Sequence, residues 1–335
     1  MHYFFQRFVF SLLSLFILTL ITFLLSQVVP GDPAIVAAGP NAGAEKIELL
    51  RSEMGLDKPL TQQFLIYVGK LAQGDLGKSW FTHQPILEDL IRELPPSLEL
   101  VIIAMVINLM ISLPLGLWSA RYNDTRFDSS VRLFAMIGAG LPIFWTALIL
   151  QNVIGGELQL LPIAGRLSFE YRTFEGYTGF FLLDGLIMAR LDVFFDALKH
   201  LILPAFSLSL LFTAVGLRIT RTAMISEFQK DYVLLARTKA ASEPRIMFKH
   251  VFPNGAPPSL TVFGMQFGWM LGATVLVEEI YGRPGIGRYA VKAVTQSDIH
   301  AVVAVVLVVG IVFLLANLVV DLLLYVLNPR GRMDK

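Results

Sequence analysis

Residues 231–258 read DYVLLARTKAASEPRIMFKHVFPNGAPP. The stretch is rich in basic residues and lies between two hydrophobic segments, Leu201–Ile219 and Leu260–Ile280, each long enough to cross a bilayer. Its parts read as helix, break, helix. Phe228, Tyr232 and Leu235 follow an i, i+4, i+7 apolar spacing that ends near Arg237 and Lys239. Ser242, Glu243 and Pro244 then suit a new helix start, because serine caps and proline is tolerated in a first turn. Met247 with Val251, and Phe248 with Phe252, make two i, i+4 apolar pairs, and Pro253, Pro257 and Pro258 are expected to stop that helix. A short amphipathic helix pair held at a membrane face suits docking into a groove on a soluble partner. A basic loop that only fixes topology has the same pattern.

The composition puts this loop in a membrane protein. Of 335 residues, 55% are hydrophobic and 16% charged, with a mean hydropathy of +0.65. An ordinary soluble domain carries roughly 25% charged residues. Six spans are expected: Phe8–Val29, Leu98–Trp118, Leu133–Ile154, Leu201–Ile219, Leu260–Ile280 and Ala301–Leu327. The first exceeds the ~7–15 apolar residues of a signal-peptide core, so it is expected to remain as a span. A net charge of +1 offers no electrostatic basis for binding nucleic acid. There is no cysteine, which excludes disulfides, thiol catalysis and Cys-ligated zinc. The five histidines, His2, His83, His200, His250 and His300, never fall at HExxH spacing, and no metal site is expected.

Basic residues set the orientation. With the N-terminus inside, the inner segments hold Arg7; Arg121, Arg126 and Arg132; Arg218, Arg221, Lys230, Arg237, Lys239, Arg245 and Lys249; and Arg330, Arg332 and Lys335. Their density favours an N-in, C-in topology, although Arg283, Arg288 and Lys292 run counter to it in the last outer loop. The expected organisation is an N-terminal membrane helix (1–29), a large extracytoplasmic loop region (30–96) with helices near 44–54 and 60–71, and a five-helix core (97–330). That core includes the inner loop 218–258 and outer loops 155–199 and 281–300.

Within the outer region, Ala72–Ser79 (AQGDLGKS) fits a relaxed phosphate-loop pattern. The Trp80–Pro85 segment that follows is a poor opening for the helix such a loop needs, and no strand–helix alternation surrounds it. Gly264, Gly268 and Gly272 repeat every four residues, a face that lets another membrane helix approach closely. Asn108, Gln151, Asn152 and Gln266 are candidates for a polar pore lining. Asn317 and Asp321, four apart near the end of the last span, suit an interhelical hydrogen bond or a proton relay. A proton-coupled secondary transporter using Asp321 is the rival reading. The inverted repeat that would favour it is not visible.

Taken in order, VPGDP (29–33), MGLDKPLTQQF (54–64), GDLGKS (74–79), LPPSLEL (94–100), PLG (114–116), LPIFW (141–145), LLPIAGR (160–166), DYVLLARTKA (231–240), PGIGR (284–288), NLVVDLLLY (317–325) and NPR (328–330) mark the whole chain. In these the chain resembles the permease subunits of bacterial ABC importers for dipeptides, oligopeptides and nickel. The resemblance implies an all-α integral inner-membrane subunit without enzymatic activity, forming half of a heterodimeric pore. The implied partners are a related second permease, two ATPase subunits that carry the ATP and magnesium, and an extracytoplasmic solute-binding protein; no cofactor is implied on this chain. Peptides are the implied substrate, with nickel, glycosides and antimicrobial peptides carried on the same scaffold.

The resemblance also makes the opening stretch the coupling element that enters a cleft on the ATPase. Asp231, Tyr232, Ala236, Arg237, Lys239, Ala240, His250 and Asn254 are its matching positions. Ala240 stands where that family has glycine, so a positive φ there would be strained. Pro253 replaces a common basic residue. Arg237 and Lys239 point about 200° apart on a helix, so one should face the partner, and Arg237 is expected to do so through its guanidinium. If residues 30–96 lie outside, a cysteine replacing Ser79 is expected to react with an impermeant thiol reagent in intact cells.

Overall fold

The computed structural model describes residues 2–28, 43–53 and 57–327. Among them every regular element is helical, and the one strand-like contact is an isolated bridge between Lys78 and Pro85. The helices are α1 (His2–Val28), α2 (Ala44–Glu53), α3 (Leu60–Ala72), α4 (Ile86–Arg121), α5 (Arg126–Gly140) and α6 (Ile143–Leu150, continued by a π-turn to Glu157). They continue with α7 (Phe181–Ile187), α8 (Leu191–Phe228), α9 (Asp231–Thr238), α10 (Glu243–Ile280), α11 (Ile286–Thr295) and α12 (Ile299–Leu327).

Among the described residues α4, α8, α10 and α12 are long and apolar enough to cross a bilayer, and α5 with α6 would make a fifth. The chain bends by 101° between α5 and α6, which corrects the expectation of one straight span over Leu133–Ile154. Leu141 precedes Pro142, whose ring disfavours a helical conformation before it, and Leu141 adopts φ −87°, ψ 121°. The helix restarts behind Pro142. The described side chains of α1 form an apolar helix over Val9–Leu25. The far end of the first expected span and the VPGDP and NPR segments lie outside the described residues.

Apart from Pro142, several prolines lie inside helices. Pro95, Pro96 and Pro114 lie inside α4, Pro204 inside α8, and Pro257 and Pro258 inside α10. The expectation that Pro253, Pro257 and Pro258 stop the second inner-loop helix is therefore overturned: that helix runs on into the fifth expected span. A π-turn over Ile246–Val251 widens the backbone just before Pro253, which sits in the first turn of the regular α segment, where its missing N–H costs nothing.

The chain divides into two compact units. The first holds residues 1–94 and 288–314. In it Phe64 of α3 meets Phe16 and Phe23 of α1 edge-on at 5.9 and 5.3 Å. The GDLGKS segment turns at Gly74 and Gly77, both at positive φ. Ser79 is buried and donates to Asp298 Oδ2 at 2.7 Å, and the Trp80 N–H donates to the same oxygen at 2.6 Å. Asp298 also accepts the Ala301 N–H at 3.1 Å, so one carboxylate pins this loop to the start of α12. The next helix begins only at Ile86, so Lys78 and Ser79 lack the helix start that a phosphate loop requires. Burial also makes Ser79 unsuitable for surface labelling; the exposed Gln73 is the position to use.

The second unit holds residues 95–287 and 315–335, and α8 is its centre, packing on α5, α6, α7 and α10. Glycines make the approaches close. A Cβ at Gly116 of α4 would lie 2.7 Å from Thr220, one at Gly138 of α5 3.2 Å from Ala214, and one at Gly216 of α8 2.6 Å from Phe263 of α10. Gly264 of α10 meets Val320 of α12 in the same way, at 2.8 Å. Of the expected glycine face, Gly272 lacks such a neighbour among the described residues of the chain. Gly268 is half-buried, and Gly272 is exposed with nothing within 4 Å.

This difference is testable. Gly264→Leu should destabilise the protein by about 1–3 kcal/mol through overpacking against Val320, whereas Gly272→Leu should leave it unchanged. Thermal unfolding midpoints of the two purified variants check it; equal midpoints would contradict the packing described here.

Candidate functional site

The inner loop is anchored on one side. Asp231 stands in the first turn of α9, where a negative charge complements the helix dipole. Val233 is fully buried, and with Ile246, Met247 and Val251 of α10 it packs on Leu117 and Ala120 of α4 and Met224 of α8, flanked by Tyr232 and Ala236. The Tyr232 hydroxyl donates to Glu227 Oε2 at 2.6 Å, and Lys230 Nζ pairs with Oε1 of the same carboxylate at 2.5 Å. Burial, reinforced by Glu227, holds the Tyr232 phenol above the usual tyrosine range. The His250 carbonyl accepts the Asn254 Nδ2 at 2.7 Å. A Cβ at Gly255 would lie 2.8 Å from the Met224 sulfur, so α10 crosses close to α8 at the root of the loop.

The other side of the loop is bare. Leu234 is 63% exposed, Leu235 56% and Phe248 58%. The expected Phe228, Tyr232, Leu235 stripe is corrected on this point. The chain breaks at Gln229 and Lys230, so Phe228 ends α8, and Leu235 points away from the core that Phe228 and Tyr232 join. Of the expected Phe248 and Phe252 pair, only Phe252 packs inward. Ser242 starts the second helix from extended backbone as expected, but its side chain makes no capping hydrogen bond.

Between the two helices the chain turns at Ala240, φ +55°. The Ala240 N–H donates to the Arg237 carbonyl at 2.9 Å, and the Ala241 N–H to the Ala236 carbonyl at 3.1 Å. Those two bonds make a Schellman cap whose left-handed position normally takes glycine. The strain expected of an alanine there is present. Arg237 is engaged within the chain: its Nε pairs with Glu243 Oε1 at 3.1 Å, while Arg121 Nε approaches Glu243 Oε2 at 3.0 Å. The Arg237 side chain remains 42% exposed beside this pair. Lys239, at the end of α9, is exposed with no ion pair among the described residues, and so are Arg245 and Lys249 of the same loop.

A second cluster in the same unit joins three of the quoted motifs. Glu99 of LPPSLEL is buried; it accepts Arg166 Nη2 of LLPIAGR at 2.9 Å and the Leu182 N–H at 2.8 Å. The Arg166 guanidinium stacks 3.7 Å over the Phe181 ring and donates to the Gly179 carbonyl at 2.7 Å. Arg283 is 1% exposed, donates to the Gly165 carbonyl at 3.2 Å, and lies 3.9 Å from Glu99. Burial, with the repulsion of Arg166, pulls its guanidinium down to about 10. Ser97 Oγ donates to Glu278 Oε1 at 2.5 Å and accepts the Ile286 N–H at 2.8 Å. A Cβ at Gly287 would lie 2.9 Å from Glu278 Oε2, so the PGIG turn can close only over glycine. Sequence reading quoted these motifs but passed over Glu99. The available signal was a carboxylate at the edge of an expected span.

The polar candidates for a pore lining separate into different roles. Asn108 and Gln266 are fully buried and bonded to each other at 2.7 Å, and Gln266 Nε2 donates to the Phe212 carbonyl at 3.0 Å. They tie α4, α8 and α10 together. Gln151 Nε2 donates to the carbonyls of Ile163 and Ile280 at 2.8 and 2.9 Å, so it too is a tie. Asn152 is exposed, and Asn317 and Asp321 are half-buried on successive turns of α12.

The family described as binding-protein-dependent transport system inner membrane component matches residues 112–333, and its N-terminal counterpart matches residues 1–101. The chain is 39% identical over 310 residues to a probable D,D-dipeptide transport system permease protein of Escherichia coli (strain K12), covering 92% of this chain and 91% of that protein. It is 39% identical over 327 residues to a di/tripeptide transport system permease protein of Pseudomonas aeruginosa, covering 96% of each. A glutathione transport system permease protein of Escherichia coli O6:H1 is 33% identical over 319 residues, covering 95% of each.

Ala240→Gly should relieve the left-handed strain and raise stability by about 1 kcal/mol. A higher midpoint in thermal unfolding of the purified protein is the expected result. A lowered one would mean that the turn is not held in this conformation.

Proposed function

The chain belongs to the binding-protein-dependent transport system inner membrane component family, and on that premise we propose that it is one half of the pore of an ATP-driven peptide importer. The second half is a related permease. Two ATPase subunits hold the ATP and magnesium, and an extracytoplasmic binding protein delivers di- or oligopeptides. The names of the similar proteins, all peptide or glutathione permeases, support the substrate class. Six spans, an N-in, C-in topology in the bacterial inner membrane, an outer region over 30–96 and a core over 97–330 complete the reading. The basic inner segments and the long apolar helices support it.

One observation carries the mechanism. The loop 231–258 is fixed on its inner face to the ends of α4 and α8 and leaves Leu234, Leu235 and Phe248 in solvent on its outer face. A rigidly mounted apolar patch suits a groove on a partner. Closure of the ATPases then pushes α4 and α8 through the buried cluster and biases the pore between inward- and outward-facing states. In this reading Arg237 acts as a positioning residue that holds α9 to Glu243, and Lys239 reaches the partner.

A cysteine at Leu235 should crosslink to the ATPase with a yield that changes between nucleotide-free and ATP-bound states. Leu235→Asp should lower substrate-stimulated ATP hydrolysis and transport at least tenfold while capture by the binding protein is retained, since a desolvated charge costs over 1.4 kcal/mol. Arg237→Ala should give a smaller loss of the same kind, because exposed pairs contribute at most about 1 kcal/mol. Normal coupled hydrolysis in Leu235→Asp, together with no crosslink, would sink the coupling assignment. A cysteine at Gln73 should be labelled in intact cells by an impermeant thiol reagent; labelling only after permeabilisation would reverse the topology.

A further inference from the structure

The turn between α4 and α5 has two faces. Its inward face is saturated. The fully buried Asp128 carboxylate accepts Ser119 Oγ, Arg221 through Nε and Nη2, and the Asp124 N–H, while Thr125 Oγ1 accepts the Asp128 N–H at the start of α5. Arg221 also donates to Asn123 Oδ1 at 2.7 Å. These bonds fix the turn before anything binds to it. Its outward face carries Trp118, Tyr122 and Phe127, which are 42%, 53% and 41% exposed. With Thr125 and Arg126 they line an open cavity of about 610 Å³.

Buried ties on one side and bare aromatic rings on the other are hard to reconcile with a turn that only reverses the chain. Three large side chains stay in contact with solvent or lipid at the place where the apolar run of α4 ends and the polar residues Arg121–Arg126 begin. Tryptophan and tyrosine are favoured at that depth because the ring is apolar and its edge hydrogen-bonds. The Arg121 guanidinium lies 5.7 Å from the Tyr122 ring but is drawn to Glu243. Arg126 is exposed and has no ion pair among the described residues. A cation with no anion therefore stands at the rim of an aromatic cavity that opens at the membrane boundary. We propose that this cavity binds one anionic phospholipid, its phosphate held by Arg126 and the upper part of its acyl chains by Trp118, Tyr122 and Phe127. The lipid belongs to the cytoplasmic leaflet, a detail that rests on the N-in topology proposed above; the site itself rests on membrane location alone.

The test uses the permease complex purified in detergent and native mass spectrometry with added phosphatidylglycerol or phosphatidylcholine of the same acyl chains. Phosphatidylglycerol should be retained in preference, and Arg126→Gln should weaken its retention about tenfold, to the level of phosphatidylcholine. Arg126→Lys should keep most of the preference, and Trp118→Ala should lower retention of both lipids. Added glycerol phosphate should not displace the lipid, because it lacks the chains that the rings contact. Arg126 is exposed and unpaired, so its variants should fold, which the elution profile of the complex verifies. Equal retention of the two lipids by the unaltered protein, or no change in Arg126→Gln, would overturn the proposal. So would a Tyr122→Cys crosslink to an ATPase or permease subunit that occupies this face. Each of these results leaves the Leu235 measurements of coupling unaffected.

Discussion

Close helix contact through missing side chains is the constraint on which the rest of this structure depends. In lipid no hydrophobic drive pulls helices together, because acyl chains are as apolar as leucine. Association must come from packing, and packing requires backbones to approach. Gly116, Gly138 and Gly216 supply that approach around α8, each against a specific atom of a neighbouring helix. Once α8 is gripped in this way, the buried Asn108 and Gln266 pair can bridge three helices, and a polar tie in a membrane interior becomes affordable because both partners are present.

The inner loop shows how helix ends are turned into a mount. Proline would ordinarily close the second helix at Pro253, yet a π-turn over Ile246–Val251 takes up the misfit and lets the helix run on into the membrane. A movement of the loop is therefore a movement of α10 itself, with no flexible joint between them. Glu243 lies at the start of that helix and meets both Arg121 from the end of α4 and Arg237 from α9. Each of these exposed pairs is weak on its own. Their value is geometric, since they hold three chain segments in one orientation around a strained alanine turn.

The Glu99 cluster serves a comparable purpose with buried charges. Two arginines share one carboxylate, and the second of them, Arg283, is almost wholly withdrawn from solvent. A buried pair like this adds little net stability, but removing one partner is costly, so the cluster specifies one arrangement of three loops. Glu278 does the same for the PGIG turn, whose glycines pack on its carboxylate. Rigid loops are what a surface needs if it is to meet a partner repeatedly in one pose.

The amino-acid order alone determined the membrane class, the positions of most long helices and the basic inner loop. All of these follow from local composition and periodicity. Where tertiary contact decides, the sequence reading departs. The break at Leu141 was legible from Pro142, but its 101° bend is set by packing on α8. Asn108, Gln151 and Gln266 read as pore lining because polar residues in a span suggest water, and only the fold shows their partners. Helical spacing groups Leu235 with Phe228 and Tyr232, and Phe248 with Phe252, but does not say which side of each helix is covered. Arg237 pairs with Glu243, six residues away across a turn whose direction the sequence does not contain. In each case a side chain's type and spacing are local properties, whereas its partner depends on which helices the glycines allow to touch.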